Sequence, residues 1–313
     1  MASQDVSVLS LRLFDHDDDA EDLEYKQVIN DLITQQKTPH QAAEVIDKWV
    51  VREAHTKYDQ LRQRNPPFNL TPEEKDRVYL AGPNASRHIE MIVGCISKVC
   101  MAYPPGHAVQ NSFIEFFQAL KAMPRHEVPN LSYKDGPDEP TFDIKLTLWP
   151  FGTPSVDHLA QKFQREAEEL AYPFSEVETS GSEAQLRWRN LQSFISRLTA
   201  LELIDCSIAS ALPYILPSHY AYPDLEKRSI GGPQRIAGDL VAAAQWLEPD
   251  SIRQWVYDQC RSTGEGDDST QTWSMDKWNQ LKAQLSFIAS DERFPQHTRD
   301  LAHSLGEKME SHG

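Results

Sequence analysis

Glu183-Ala184-Gln185-Leu186-Arg187-Trp188-Arg189-Asn190-Leu191-Gln192-Ser193-Phe194-Ile195-Ser196-Arg197-Leu198 is the stretch that decides the fold class. Leu186, Leu191, Phe194, Ile195 and Leu198, continued by Leu201 and Ile208, lie on one half of a helical wheel. This pattern predicts a long helix over residues 183–212, the central helix of the core. Asn190, Arg197 and Asp205 follow one another at spacings of seven and eight. At roughly 100° per residue they stay within about a quarter-turn of each other. Buried there, they need partners, because an unpaired charge inside a core is costly. Two readings stand side by side: a structural hydrogen-bond network or solvent edge, and the polar floor of a pocket.

The residues that follow are Pro213-Tyr214-Ile215-Leu216-Pro217-Ser218-His219-Tyr220-Ala221-Tyr222-Pro223. Aromatics and a histidine on a proline-stiffened loop can line a small-molecule cavity. Histidine and tyrosine there can give or take protons. The bland reading is aromatic packing under a loop. With its prolines and Gly231-Gly232, the whole of 213–233 reads as a structured loop.

Working outward, helical periodicity recurs along most of the chain. Thr38-Pro39 is a helix start, since threonine caps free amides and proline suits the first turn. Further helices are predicted over 21–36, 39–64, 86–101, 108–123, 155–170, 240–246, 251–260, 275–289 and 296–309. Residues 125–155 are rich in proline, aspartate and glycine, and 142–148 alternates weakly enough to suggest a short strand. Residues 262–272 read as polar and mobile. The fold class is therefore all-α: a single large irregular bundle of about nine to eleven helices around a central buried helix. Residues 1–20 form an acidic, flexible arm. Residues 21–313 form one all-α domain, with a possible seam at 125–155.

Composition narrows function by exclusion. Lysine and arginine total 31 against 47 acidic residues, a formal charge of −16. A negative field repels phosphates, so nucleic acid is not an expected partner. Residues 198–216 are the most apolar stretch but carry Glu202, Asp205 and Pro213, which argues against a membrane span. The N-terminus lacks the basic and apolar regions of a signal peptide, so the cytoplasm is the expected location. Cys95, Cys100, Cys206 and Cys260 form no Cys-x-x-Cys and read as buried thiols. Asp15-His16-Asp17-Asp18-Asp19 begins like a calcium loop, but Ala20 and Lys26 stand where glycine and glutamate are required. Asp18-Asp19-Ala20-Glu21-Asp22 lacks the second box that a metal–diphosphate site needs. His88-Ile89-Glu90 has the form seen in zinc deaminases without their Pro-Cys-x-x-Cys, and reads as a surface or core-edge histidine. No metal and no cofactor is expected.

Trp188-Arg189-Asn190-Leu191-Gln192-Ser193-Phe194-Ile195-Ser196-Arg197-Leu198 resembles the Trp-x-Asn-Leu-x-x-Phe-x-x-x-Leu helix of a fungal all-α family catalogued as a domain of unknown function. Thr38-Pro39-His40-Gln41-Ala42-Ala43, Pro104-Pro105-Gly106-His107-Ala108-Val109-Gln110 and Ala242-Ala243-Ala244-Gln245-Trp246 resemble its other elements in order. The 213–223 loop departs from the resemblance, because members continue in helix there. Some members are associated with natural-product gene clusters. The resemblance thus implies a cofactor-independent cyclase or pericyclase of Diels–Alder type, acting on a small apolar polyene by preorganisation and hydrogen bonding. In that reading Asn190, Arg197 and His219 are the catalytic hydrogen-bond donors. Trp188, Phe194, Asp205, Tyr214, Tyr220 and Tyr222 contact the substrate. The competing expectations are a helical interaction or regulatory protein and a carrier of an apolar metabolite.

Overall fold

The computed structural model describes residues 8–133, 140–171, 181–262 and 272–311. The first seven residues and nearly all of the 262–272 stretch read as mobile lie outside the described residues. Twelve α-helices are present among those described. They are α1 (Ala20–Ile33), α2 (Pro39–Arg62), α3 (Pro72–Asp76), α4 (Val78–Ala81), α5 (Ala85–Ala102), α6 (Ala108–Ala122), α7 (Leu159–Leu170), α8 (Glu183–Ala200), α9 (Gly231–Leu247), α10 (Asp250–Ser262), α11 (Met275–Ser290) and α12 (Gln296–Glu310). An antiparallel hairpin of β1 (Glu127–Tyr133) and β2 (Pro140–Thr147) interrupts the helices. The protein is predominantly all-α, as its periodicity predicts. No helix among the described residues is long and apolar enough to cross a membrane.

The chain divides into two compact units. The first draws on Arg12–Ile96 and Asn111–Ser155 and contains the hairpin. Its second helix starts where the sequence marks it. Thr38 Oγ1 accepts from Gln41 N at 3.2 Å, and the Gln41 side chain accepts from Thr38 N at 3.0 Å. Two orphan amides are thereby satisfied, with Pro39 in the first turn. In the hairpin Glu127 faces Thr147 and Asn130 faces Ile144. The weak alternation at 142–148 thus marks a real strand, although its partner β1 carries no comparable signal. Trp149 Nε1 donates to Asp47 Oδ1 of α2 at 2.7 Å, which anchors the segment leaving the hairpin. Phe113, Phe116, Phe117 and Phe151 meet edge-to-face at the apolar centre.

The second unit draws on Met1–Leu11, Ser97–Gln110 and Val156–Gly313, and α8 is its spine. Twelve of the eighteen residues of α8 are buried. It packs along α9, with α7 and α10 against its flanks. The approach of α8 to α9 is close at Gly238, where a Cβ would overlap the Gln185 side-chain amide. All four cysteines are free and buried.

The predicted 183–212 helix is shorter than its periodicity suggests. It ends at Ala200 in a Schellman turn. Leu203 N donates to Leu198 O and Glu202 N to Thr199 O, both at 2.9 Å, while Glu202 takes a φ of 51°. Leu198 and Leu203 are both buried across this turn, which supplies its apolar closure. A non-glycine residue in the left-handed region left no stop signal to read. Asp205 therefore stands outside the helix and does not share a face with Asn190 and Arg197. Conversely, α9 begins at Gly231, inside the stretch read as loop up to residue 233.

The Gly238 contact gives a direct check of the α8–α9 packing. Gly238→Ala is expected to push the Gln185 side chain aside, breaking the hydrogen bond that its Oε1 accepts from Gly181 N, at a cost of about 1 kcal/mol. In a Gln185→Ala background the same change costs nothing, or gains up to about 1 kcal/mol from helix propensity. Chemical denaturation of the four proteins measures this coupling. Additive effects would contradict the close approach.

Candidate functional site

Four of the residues predicted from sequence come together as a row of rings in the second unit. Trp188 meets Tyr214 edge-on at 5.9 Å, Tyr214 meets His219 at 4.3 Å, and His219 meets Tyr220 at 4.5 Å. The row runs from Trp188, 1% exposed, to Tyr220, 88% exposed. Local geometry explains its shape. Leu212–Ile215 is a 3-10 turn started by Pro213, and His219 N and Tyr222 N then close successive turns on Leu216 O and His219 O. Ala221 N donates to His219 Nδ1 at 3.2 Å, so the neutral ring carries its proton on Nε2. Burial, and then the charge of Arg235, hold the His219 pKa below the ordinary imidazole value. Burial pushes the Tyr214 phenol up to about 12.

The same loop forms one wall of an open cleft of about 480 Å³. Pro217, Tyr222, Pro223 and Leu225 face Gln284 and Phe287 of α11, with Asp224, Glu226 and Arg293 among the lining residues. Gln284 Nε2 donates to the Tyr222 hydroxyl oxygen at 3.0 Å. Burial raises the Tyr222 phenol, partly offset by that hydrogen bond, so it is protonated at neutral pH. Arg293 is neutralised: Nη2 lies 2.7 Å from Asp291 Oδ2, and Nη1 lies 3.0 Å from Glu226 Oε1. Tyr222 is the one predicted site residue in this cleft. Gln284, Phe287 and Arg293 come from a distant part of the chain and carry no motif.

The remaining predicted residues lie elsewhere. Asn190 is buried and fully engaged: Nδ2 donates to Met101 O at 2.9 Å, and Oδ1 accepts from Arg189 Nη2 at 2.8 Å. Phe194 is wholly buried against Phe163. Arg197 is half-buried, and desolvation lowers its pKa. Asp205 is exposed and accepts from Ser207 N at 2.9 Å. Asn190 and Phe194 are thus tied into the α8 packing.

A buried polar cluster in the first unit escaped the sequence reading. His88, 1% exposed, places Nε2 2.5 Å from Glu21 Oε1, and Lys57 Nζ lies 3.2 Å from Glu21 Oε2. Trp49 packs against both His88 and Tyr25. Glu21 and His88 are 67 residues apart, so nothing local announces the pair. Of the acidic run, Asp19 caps α1 by accepting from Asp22 N at 2.9 Å, and Asp18 pairs with Lys26. No group of three or more metal-ligating side chains is assembled among the described residues.

Residues 94–294 match the model of a family described as Protein of unknown function (DUF3632). The match spans well over half of the chain, and the protein belongs to this family. The family assignment agrees with the resemblance carried by residues 188–198. No curated protein and no solved structure matches the chain.

Two titrations test these environments. The His219 ring proton, followed by NMR, is expected to titrate below ~6.5, and an unshifted midpoint would place the ring in open solvent. Because its folded pKa is depressed, protonation of His219 opposes folding, and this loss sets in as pH falls below ~6.5. For Glu21, the hydrogen bond from His88 and the charge of Lys57 overcome burial and bring the carboxyl from 4.5 to about 2. Its contribution is complete above pH 4.5 and fades as pH falls towards 2. Glu21→Gln should cost about 1–2 kcal/mol at neutral pH, allowing for solvent screening. It should also flatten the acid limb of stability between those pH values. An unchanged acid limb would show that these partners do not hold Glu21 in its ionised form.

Proposed function

We propose that the second unit binds a small apolar metabolite in the cleft between the 217–226 loop and α11, and that this binding is the protein's function. The cleft itself carries the reading. Its volume of about 480 Å³ falls within the ~300–1,000 Å³ of small-molecule sites. Its walls combine apolar side chains with a few polar groups, the composition that gives such sites both affinity and orientation. In this form the protein is a carrier, placed in the cytoplasm.

One observation favours a catalytic form. The Tyr222 hydroxyl accepts from Gln284 and so keeps its own proton for a ligand carbonyl. A hydrogen bond aimed at a dienophile carbonyl stabilises charge that grows in a pericyclic transition state. The walls would hold a folded polyene near its reactive geometry. That is the cofactor-independent cyclase of Diels–Alder type, in fungal natural-product biosynthesis, which the family resemblance implies. Asn190 is already engaged with Met101, so in this reading Tyr222 takes over the polarising role. The exposure of Tyr220 and of Ile230 at the start of α9, 88% and 76%, favours instead a protein-interaction role for the surface between them.

Nile red, a neutral apolar dye, reports occupancy of the cleft. Phe287→Ala should weaken its binding about tenfold, the loss of roughly 1.4 kcal/mol of apolar contact. Unchanged binding would remove the cleft as the site. Mass spectrometry of a conjugated polyene after incubation separates the two forms: returned intact it supports a carrier, and isomerised it supports a cyclase.

A further inference from the structure

We infer that the cleft recognises an uncharged ligand carrying a lactam, in which an N–H and a C=O stand side by side. The inference rests on the cleft being a small-molecule site and adds the chemistry of its occupant.

Gln284 is 5% exposed, and what remains accessible lines the cleft. Its Nε2 is spent on the Tyr222 oxygen. Its Oε1 accepts from no described residue and is not sealed from solvent, so it is open to a donor from a ligand in the cleft. The Tyr222 hydroxyl is the complement. It has accepted one hydrogen bond, and its proton has no acceptor among the described residues. A bare acceptor and a bare donor therefore sit next to each other, joined by the Gln284–Tyr222 hydrogen bond.

An amide answers both. Its N–H donates to Gln284 Oε1, and its carbonyl accepts from the Tyr222 hydroxyl. Both must point the same way, which a cis amide in a ring allows and an open-chain trans amide does not. An ester or lactone offers the carbonyl alone and leaves Gln284 Oε1 covered but unsatisfied.

Charge excludes a second class. Among the charged groups that line the cleft, Asp224 and Glu226 face a single cation, Arg293. Its guanidinium is already held by Asp291 and Glu226. Among the described residues that line the cleft no unpaired cation awaits a carboxylate, and the chain carries a net charge of −16.

The test compares four matched probes by NMR shift titration on the full chain: a phenyl-substituted γ-lactam, its N-methyl derivative, the corresponding γ-lactone and phenylbutyrate. The lactam should bind about tenfold more tightly than the N-methyl lactam and the lactone, the worth of one hydrogen bond. Phenylbutyrate should not saturate the cleft. Gln284→Met should bring lactam and lactone within about twofold of each other, while Tyr222→Phe, which keeps the ring, weakens every carbonyl probe. Lactam and lactone of equal affinity, with shifts at Tyr222 and Phe287, would overturn the lactam inference and leave the cleft standing. Tighter binding of the carboxylate would also overturn it. Failure of all four to shift the cleft residues would overturn the cleft reading itself.

Discussion

A helix that carries glutamines, serines and asparagine into a core must find each of them a partner, and the second unit is organised around that demand. Gln192 shows it most clearly. Its Nε2 donates to Ala209 O at 2.9 Å, while its Oε1 accepts from Ala211 N at 2.8 Å and from Trp246 Nε1 at 2.6 Å. One buried side chain thus ties α8 to α9 and to the segment that follows the α8 Schellman turn. Ser196 adds a bond to Gln245 O of α9, and Thr199 accepts from Cys206 N at 3.0 Å. The loop that walls the cleft leaves from this fixed point at Ala211. Asn190, Gln192, Ser196 and Thr199 of α8 find their partners within the fold, and through them the helix fixes where the 213–223 loop begins.

What the sequence disclosed divides between local chemistry and packing. Helix starts with strong local chemistry were legible: Thr38-Pro39 and Gln41 form a capping box that no tertiary contact has to rescue. The end of α8 was not, because Glu202 rather than glycine occupies the left-handed position. The pairing of the hairpin was half legible, since β1 alternates too weakly to announce itself. Residues 213–223 drew attention for a sound reason: proline-stiffened aromatics do bring Tyr214, His219 and Tyr220 into one row on Trp188. Gln284 and Phe287 could not be found, because in sequence they are ordinary positions of an amphipathic helix. Only packing shows that they face Tyr222.

The acidic balance of the chain acquires a local meaning at the cleft. Arg293, a lining residue that would otherwise attract anions, is neutralised by its own neighbours. In the proposed reading, recognition there is left to shape and to the hydrogen-bonding groups of Gln284 and Tyr222. The polar cluster of Glu21, Lys57 and His88 in the first unit is a different device: Glu21 accepts from both Lys57 and His88 and so ties α1 to α2 and α5. In both places charged side chains pair with one another: Glu21 with Lys57 in the first unit, and Arg293 with Glu226 and Asp291 at the cleft.

Hydrogen exchange of the full chain, with and without a saturating neutral apolar ligand, tests the cleft reading most directly. Protection should rise over residues 217–226 and 284–293, and the amides of 188–198 should be unchanged. Protection concentrated on 188–198, with none at the loop or α11, would return the site to the central helix and contradict the division between scaffold and cleft.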